Sequence, residues 1–406
     1  MWNFRTFSGP LLILAILQMA VVAEAKAGEI RVGAISDLTG PYNEVGQQMA
    51  DAKDLAAAHV NAQGGFFASG ETLSLIRGDG KCDADAGLSA GQALAAEGVV
   101  AIAGATCSGA TLAVARKVTI PAGLPQISPS STAPVISDLE DNDGVFRLSP
   151  SDTLLGAELS GMIHDRFIST VSVTFANDDY NRGVAEVFLE TYQRNGGTIH
   201  SVQEHEPGET NYDAMIDELA SDEKTQSLVV FAYYDRSGVD VIEAAQKDGR
   251  FEIFFGADGM INDSLIEQVG AENLSWALFM IAATNDRASG FRAYAPLATD
   301  AGLDPSVAFT PQSYDSVFLL ALAIEQAGST DPAAIRAALR EVSGEPGKMI
   351  LPGQWAEAKA AIAAGEAINY MGASGVIEFD PAGDTEGIFS VNTVKPDASW
   401  DVFVLR

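Results

Sequence analysis

Cysteine is nearly absent from this chain: 406 residues hold two, Cys82 and Cys107. Two cysteines alone cannot close a zinc site, and the nearest histidine, His59, stands outside any usual ligand spacing. Histidine itself is scarce, at four, and His200 and His205 have no evident further ligands beside them. Positive charge is also short. Lys and Arg number 24 against 55 Asp and Glu, a formal net charge of −31 that repels phosphate backbones and excludes nucleic acid as a partner. No Gly-rich phosphate loop with a Walker lysine occurs, no G-x-G-x-x-G, and no serine sits in a nucleophile elbow. The acidic stretch 79–87, "DGKCDADAG", lacks the spacing of a calcium loop. Beyond residue 27 no run is long and apolar enough to span a bilayer. Metal, phosphate and cofactor chemistry therefore have no sequence signature here, and no cofactor is expected.

The chain opens with Arg5 and then the apolar run "LLILAILQMAVV", 12 residues long, followed by the small-x-small sites Ala23-Glu24-Ala25 and Ala25-Lys26-Ala27. That is the pattern of a secretory signal over residues 1–27, too short in its apolar part to anchor as a membrane helix. The expected location is periplasmic. In an exported chain a lone pair of cysteines is expected as a disulfide, Cys82 to Cys107, worth roughly 3 to 3.5 kcal/mol in the chain-entropy model. Apolar residues make up 47% and the acids are scattered, so the charge coats a globular core rather than forming a disordered tail.

A chain of this length is expected to divide into two domains. Short apolar strands alternate with amphipathic helices: "EIRVGAIS", "LSLIRGDG", "VVAIAGA", "LPQIS", "VSVTFAND", "SLVVFAYY" and "FEIFFGADG". This order implies right-handed βαβ units and mostly parallel sheets, whose ligands sit beyond the carboxyl ends of the strands. The residues just after those strands are Cys107 and Ser108; Ser128, Ser130, Ser131 and Thr132; Tyr180; Tyr233 and Tyr234; and Asp258. Tyr314 stands near the start of a later helix, "TPQSYDSVFLLALAIEQAG". Hydroxyls at helix starts suit a carboxylate, and one carboxylate among aromatic rings suits a cation. Together they describe a site for a zwitterion. Each residue alone has a plainer reading: Ser108 and Thr132 as helix caps, the tyrosines as packing, Asp258 as an Asx-turn residue.

With those residues in view, the chain resembles the periplasmic solute-binding proteins of ABC importers for leucine, isoleucine, valine and related amino acids. The resemblance rests on "GAISDLTGPYNEVGQQ", "CSGAT", "LPQISPSSTAP", "FANDDYNRG", "FAYYDRSGVDVIEAAQ", "FFGADG" and "GASGVIEFDPAGD". It implies two doubly wound α/β domains joined by a three-strand hinge, the type I periplasmic binding protein fold. Residues 28–149 plus 282–385 would form one domain, and 150–281 plus 386–406 the other. It further implies that Ser108 and Thr132 hold an α-carboxylate, that the Ser130 carbonyl and Asp258 take the α-ammonium, and that Ser131, in the same loop, also binds the ligand. Tyr180, Tyr234 and Tyr314 would cover the ligand, with Tyr233 able to replace Tyr234 because adjacent strand residues face opposite ways. The implied partners are an amino acid and the permease subunits of an importer, which provide the only link to a membrane, and the implied state is a monomer. Three departures mark this chain: Val45 where relatives carry an aromatic residue, Asp258 in place of a longer glutamate, and a helical insert, "GQWAEAKAAIAAGEAINYMGASG". A receptor feeding a sensor, or an exported enzyme of similar fold, would use the same cleft.

Overall fold

The computed structural model describes residues 28–40, 42–209, 211–222 and 224–405; the expected signal segment, 1–27, lies outside the described residues. Five short strands make the first sheet: β1 (Glu29–Ser36), β2 (Thr72–Asp79), β3 (Ile102–Ala103), β4 (Gln126–Ser128) and β5 (Val145–Arg147). All are parallel, in the order β2-β1-β3-β4-β5. The second sheet contains β6 (Thr170–Ala176), β7 (Thr198–His205), β8 (Ser227–Phe231), β9 (Ile253–Gly256) and β10 (Leu278–Ala283). After the two-stranded piece β11 (Lys348–Ile350) and β12 (Ile368–Tyr370), the chain returns to this sheet as β13 (Ile388–Val394) and β14 (Trp400–Val404). Its order is β14-β13-β10-β9-β8-β6-β7, and β13 alone runs against the others, antiparallel to both β10 and β14.

Both sheets thus repeat one winding, with the first-formed strand second from the edge and the next strands crossing to its other side. That crossover opens a crevice at the carboxyl ends between β1 and β3 and between β6 and β8. Strands such as β8, "SLVVF", are buried along their whole length, as expected of sheets covered by helices on both faces. On the first sheet the helices Asn43–Ala62 and Thr310–Ala327 pack one face, and Ala84–Ala96 with Ser108–Val114 the other. The second sheet is sandwiched likewise between two apolar layers. The chain passes between the lobes after β5, after β10 and before β13. Arg147, fully buried at the first passage, ties it to the third: Nε donates to Asp384 Oδ1 at 2.5 Å and Nη2 to Oδ2 at 2.7 Å.

The insert is only partly helical. Trp355–Ala363 forms a helix that ends in the left-handed turn at Gly365 (φ 72°), and the chain then runs into β12. Trp355 is buried and donates from Nε1 to the Gly65 carbonyl at 3.2 Å, which pins the insert onto the first lobe. No helix among the described residues is long and apolar enough to cross a membrane.

Candidate functional site

Where the two sets of strand ends face each other they enclose a cavity of about 100 Å³. The first lobe lines it with Tyr42 and Val45 beyond β1, Thr106, Cys107 and Ser108 beyond β3, and Ser130 and Thr132 beyond β4. The second lobe contributes Tyr180 beyond β6, Tyr233 beyond β8 and Asp258 beyond β9. Binding sites for drug-sized molecules span about 300 to 1,000 Å³. A cavity this small suits a ligand of few heavy atoms.

On the first lobe, Cys82 and Cys107 form a disulfide that joins the end of β2 to the end of β3. Ser108 follows directly, opening the helix Ser108–Val114. Its hydroxyl oxygen accepts from the amides of Thr132 and Ala133, both at 3.2 Å, so the two hydroxyl loops are stitched together. The Thr132 amide is therefore already occupied, and what it offers the cavity is its hydroxyl. Ser130 Oγ donates to the Thr106 carbonyl at 2.7 Å. Ser131 does not reach the cavity: fully buried behind this wall, its hydroxyl pairs with Thr111 Oγ1 at 2.7 Å and donates to the Thr106 carbonyl at 3.1 Å. It supports the loop rather than facing a ligand.

On the second lobe, the Tyr180 hydroxyl donates to Asp258 Oδ1 and accepts from the Gly259 amide at 3.2 Å. Burial pushes the Asp258 carboxyl above its ordinary range, against the opposing hydrogen bond from Tyr180. A second carboxyl stands close by. Asp152, in the first turn of the helix Asp152–Asp165, is fully buried, and neither of its oxygens has a hydrogen-bond partner among the described residues. Burial first, and the Asp258 carboxylate next, hold the Asp152 carboxyl well above the usual range. The Thr132 hydroxyl and Arg147 favour its ionised form, the hydroxyl without reaching hydrogen-bond geometry. Burial of two neighbouring carboxyls disfavours ionising both at once, and a cation beside them would favour it.

Two of the expected aromatic residues lie elsewhere. Tyr233, the last extended residue before the turn Tyr234–Gly238, points into the cavity, and Tyr234 points back into the apolar layer of its own lobe. Tyr314 is fully buried in the first lobe, stacked on Phe318 at 5.5 Å. Its hydroxyl accepts from the Gly353 amide at 2.9 Å and pairs with His59 Nδ1 at 2.8 Å, so it fastens the insert and not a ligand. The rotation of the helix carries position 314 away from the cleft. Phe309, one residue before that helix and left-handed at φ 62°, lines the cavity instead. Such a backbone is rare for a bulky residue, and no local sequence signal marks it. Asp152, by contrast, follows β5 and obeys the same strand-end rule that singled out Asp258.

Residues 48–397 match the model of the receptor family ligand binding region. Among curated proteins the chain is 26% identical over 364 residues to the chemotactic signal transduction system substrate-binding protein BasB of Halobacterium salinarum, covering 87% of this chain and 84% of that one. It is 26% identical to the Leu/Ile/Val-binding protein homolog 3 of Brucella melitensis, over 80% and 86% of the two chains. Among solved structures, the leucine binding protein LivK of Thermotoga maritima superposes with a TM-score of 0.75 at 22% identity, covering 92% and 97%.

Proposed function

Since the chain belongs to the receptor family ligand binding region, we propose that it is an extracytoplasmic receptor that captures an amino acid, of branched-chain or related type, and delivers it to an ABC importer. The observation that carries this reading is the small cavity between the lobes, with hydroxyls on one wall and Asp258 on the other, and Asp152 buried behind it. In this reading Ser108 and Thr132 hold the α-carboxylate through their hydroxyls. The Ser130 carbonyl and Asp258 take the α-ammonium, with Asp152 as the second anion. Tyr180 and Tyr233 cover the ligand, and Val45, Met49, Ile261, Ile281 and Phe309 shape an apolar end for its side chain. The lobes, 28–149 plus 282–385 and 150–281 plus 386–406, move as units about the three passages, and binding energy shared between them closes the cleft. The names of the relatives describe binding proteins, which supports a receptor over an enzyme.

A screen of the twenty amino acids by thermal shift, on protein unfolded and refolded to strip any bound molecule, tests the reading, with calorimetry on each hit. One or a few aliphatic amino acids should raise the midpoint and be recovered unchanged. Conversion of the additive would mark an enzyme, and no response to any amino acid would overturn the proposal. The likeness to BasB supports a second use of the same capture step, presentation of the loaded receptor to a chemotactic sensor. A pull-down by loaded and empty receptor, against permease and sensor candidates, separates the two.

A further inference from the structure

Arg236 stands in the turn that follows β8 and does not line the cavity. Its guanidinium lies over the Tyr233 ring, 5.1 Å from the centroid, and its Nη2 donates across the cleft to the Cys82 carbonyl of the first lobe. That carbonyl is presented by strained backbone. Lys81 and Cys82 both adopt left-handed φ, 52° and 51°, a conformation that residues with side chains keep only when their surroundings impose it. Three restraints do so: Cys82 N donates to Asp37 Oδ1 at 2.8 Å, Lys81 N donates to Asp79 Oδ1 at 3.3 Å, and the disulfide fixes Cys82 to Cys107. Beside this contact, Tyr42 of the first lobe inserts between Tyr233 and Tyr234, with centroids 5.6 and 5.5 Å away, and its hydroxyl donates to the Gly259 carbonyl at 3.3 Å.

We propose that Arg236, seated on the Cys82 carbonyl and seconded by Tyr42, is a positioning residue that latches the two lobes and sets how long a captured ligand stays. The inference rests on the receptor reading for its consequence, but its geometry concerns lobe against lobe. Because every atom of this latch belongs to the protein, it should hold a share of the ligand-free receptor closed. It acts on release more than on entry, because contacts made only after closure must break before the ligand can leave. The guanidinium serves both contacts with one planar group, a task that the point charge of lysine does not perform.

Arg236→Met, Arg236→Lys and Tyr42→Ala, each checked for an unchanged ligand-free thermal midpoint, supply the test, with leucine as the probe. In the Met variant leucine should leave about 10- to 100-fold faster in stopped-flow, with association changed less than about threefold. Its ligand-free small-angle scattering should show a larger radius of gyration than wild type. Lys should behave more like Met than like Arg, and Tyr42→Ala should shift both readouts in the same direction by less. Identical ligand-free scattering for wild type and Arg236→Met would overturn the latch, as would full rescue of leucine release by Lys, which would make the role one of charge alone. Failure of wild type to bind leucine counts against that ligand, while the ligand-free scattering still decides the latch.

Discussion

The two walls of the cleft are built on different principles. The first-lobe wall satisfies itself: Ser108 caps the amides of Thr132 and Ala133, Ser130 and Ser131 both donate to the Thr106 carbonyl, and a disulfide braces the whole from behind. The second-lobe wall does not. Asp258 is half-buried with a single side-chain donor, Tyr180, and the fully buried Asp152 near it has none among the described residues. A pre-formed neutral wall gives orientation at little cost on binding, because its hydrogen bonds are already made. A desolvated anionic wall gives affinity only when a cation arrives, because until then burial penalises its charge. Substitutions should therefore affect affinity on one side and stability on the other.

The largest effect should come from the anionic wall. Asp258→Ala leaves a bound ammonium facing tyrosine rings, and truncating one partner of a buried charge pair costs about 2 to 5 kcal/mol, or about 30-fold to several thousand-fold in affinity. Asp258→Asn keeps the shape without the charge and should bind nearly as poorly, with ligand-free stability little changed in either variant. Calorimetry with the identified ligand checks this. An Asn variant of wild-type affinity would mean that the residue serves its turn, and the comparison between the walls would fail.

The braced wall should answer differently. Cys107→Ser should lower unfolding stability by roughly 2 to 4 kcal/mol in a denaturant titration, with a smaller loss of affinity than any change at Asp258. An unchanged midpoint would show that the bridge braces nothing.

Proton linkage gives a third contrast. Burial raises the carboxyls of both Asp152 and Asp258. An ammonium beside them favours the ionised form and lowers those values, so binding must release protons. Affinity is then fullest above the raised values and falls as pH drops through them, by up to about tenfold per pH unit for each proton released. Calorimetry in buffers of different ionisation enthalpy counts the protons, and Asp152→Asn should reduce the count. Affinity independent of pH, with no proton release, would remove Asp152 from the site.

Much of this was legible in the sequence because one rule, that function gathers beyond the ends of parallel strands, acts locally. It pointed to Ser108, Ser130, Thr132, Tyr180 and Asp258, each a few residues past an apolar run, and all five line the cavity. It was blind where direction rather than position matters. Tyr233 and Tyr234 are adjacent, and only the point at which the chain turns into the helix after β8 decides which ring faces the cavity. Phe309 reaches the cleft through a left-handed residue between helices, a conformation without a residue-level signature for a phenylalanine. The seat of Arg236 lies 154 positions away in sequence, at Cys82, which no local pattern encodes.

The smallest predicted effect separates an aromatic that faces the cleft from one that does not. Tyr314 and Tyr233 both follow the kind of motif that suggests ligand cover, but the Tyr314 hydroxyl spends its bonds on Gly353 and His59 within one lobe. Tyr314→Phe keeps the stacked ring and loses that hydroxyl, leaving the Gly353 amide without its acceptor. The cost should be about 1 kcal/mol of stability, the usual net worth of one hydrogen bond, with affinity within about twofold of wild type. Tyr233→Ala opens the cavity and should weaken binding by about 5- to 30-fold while stability moves less. Thermal melts and calorimetry on the two variants make a crossed pair: each should shift one readout and spare the other. If Tyr314→Phe instead loses affinity at unchanged stability, the fastening of the insert is part of the binding site, and the boundary between cleft and scaffold lies deeper in the first lobe than its packing indicates.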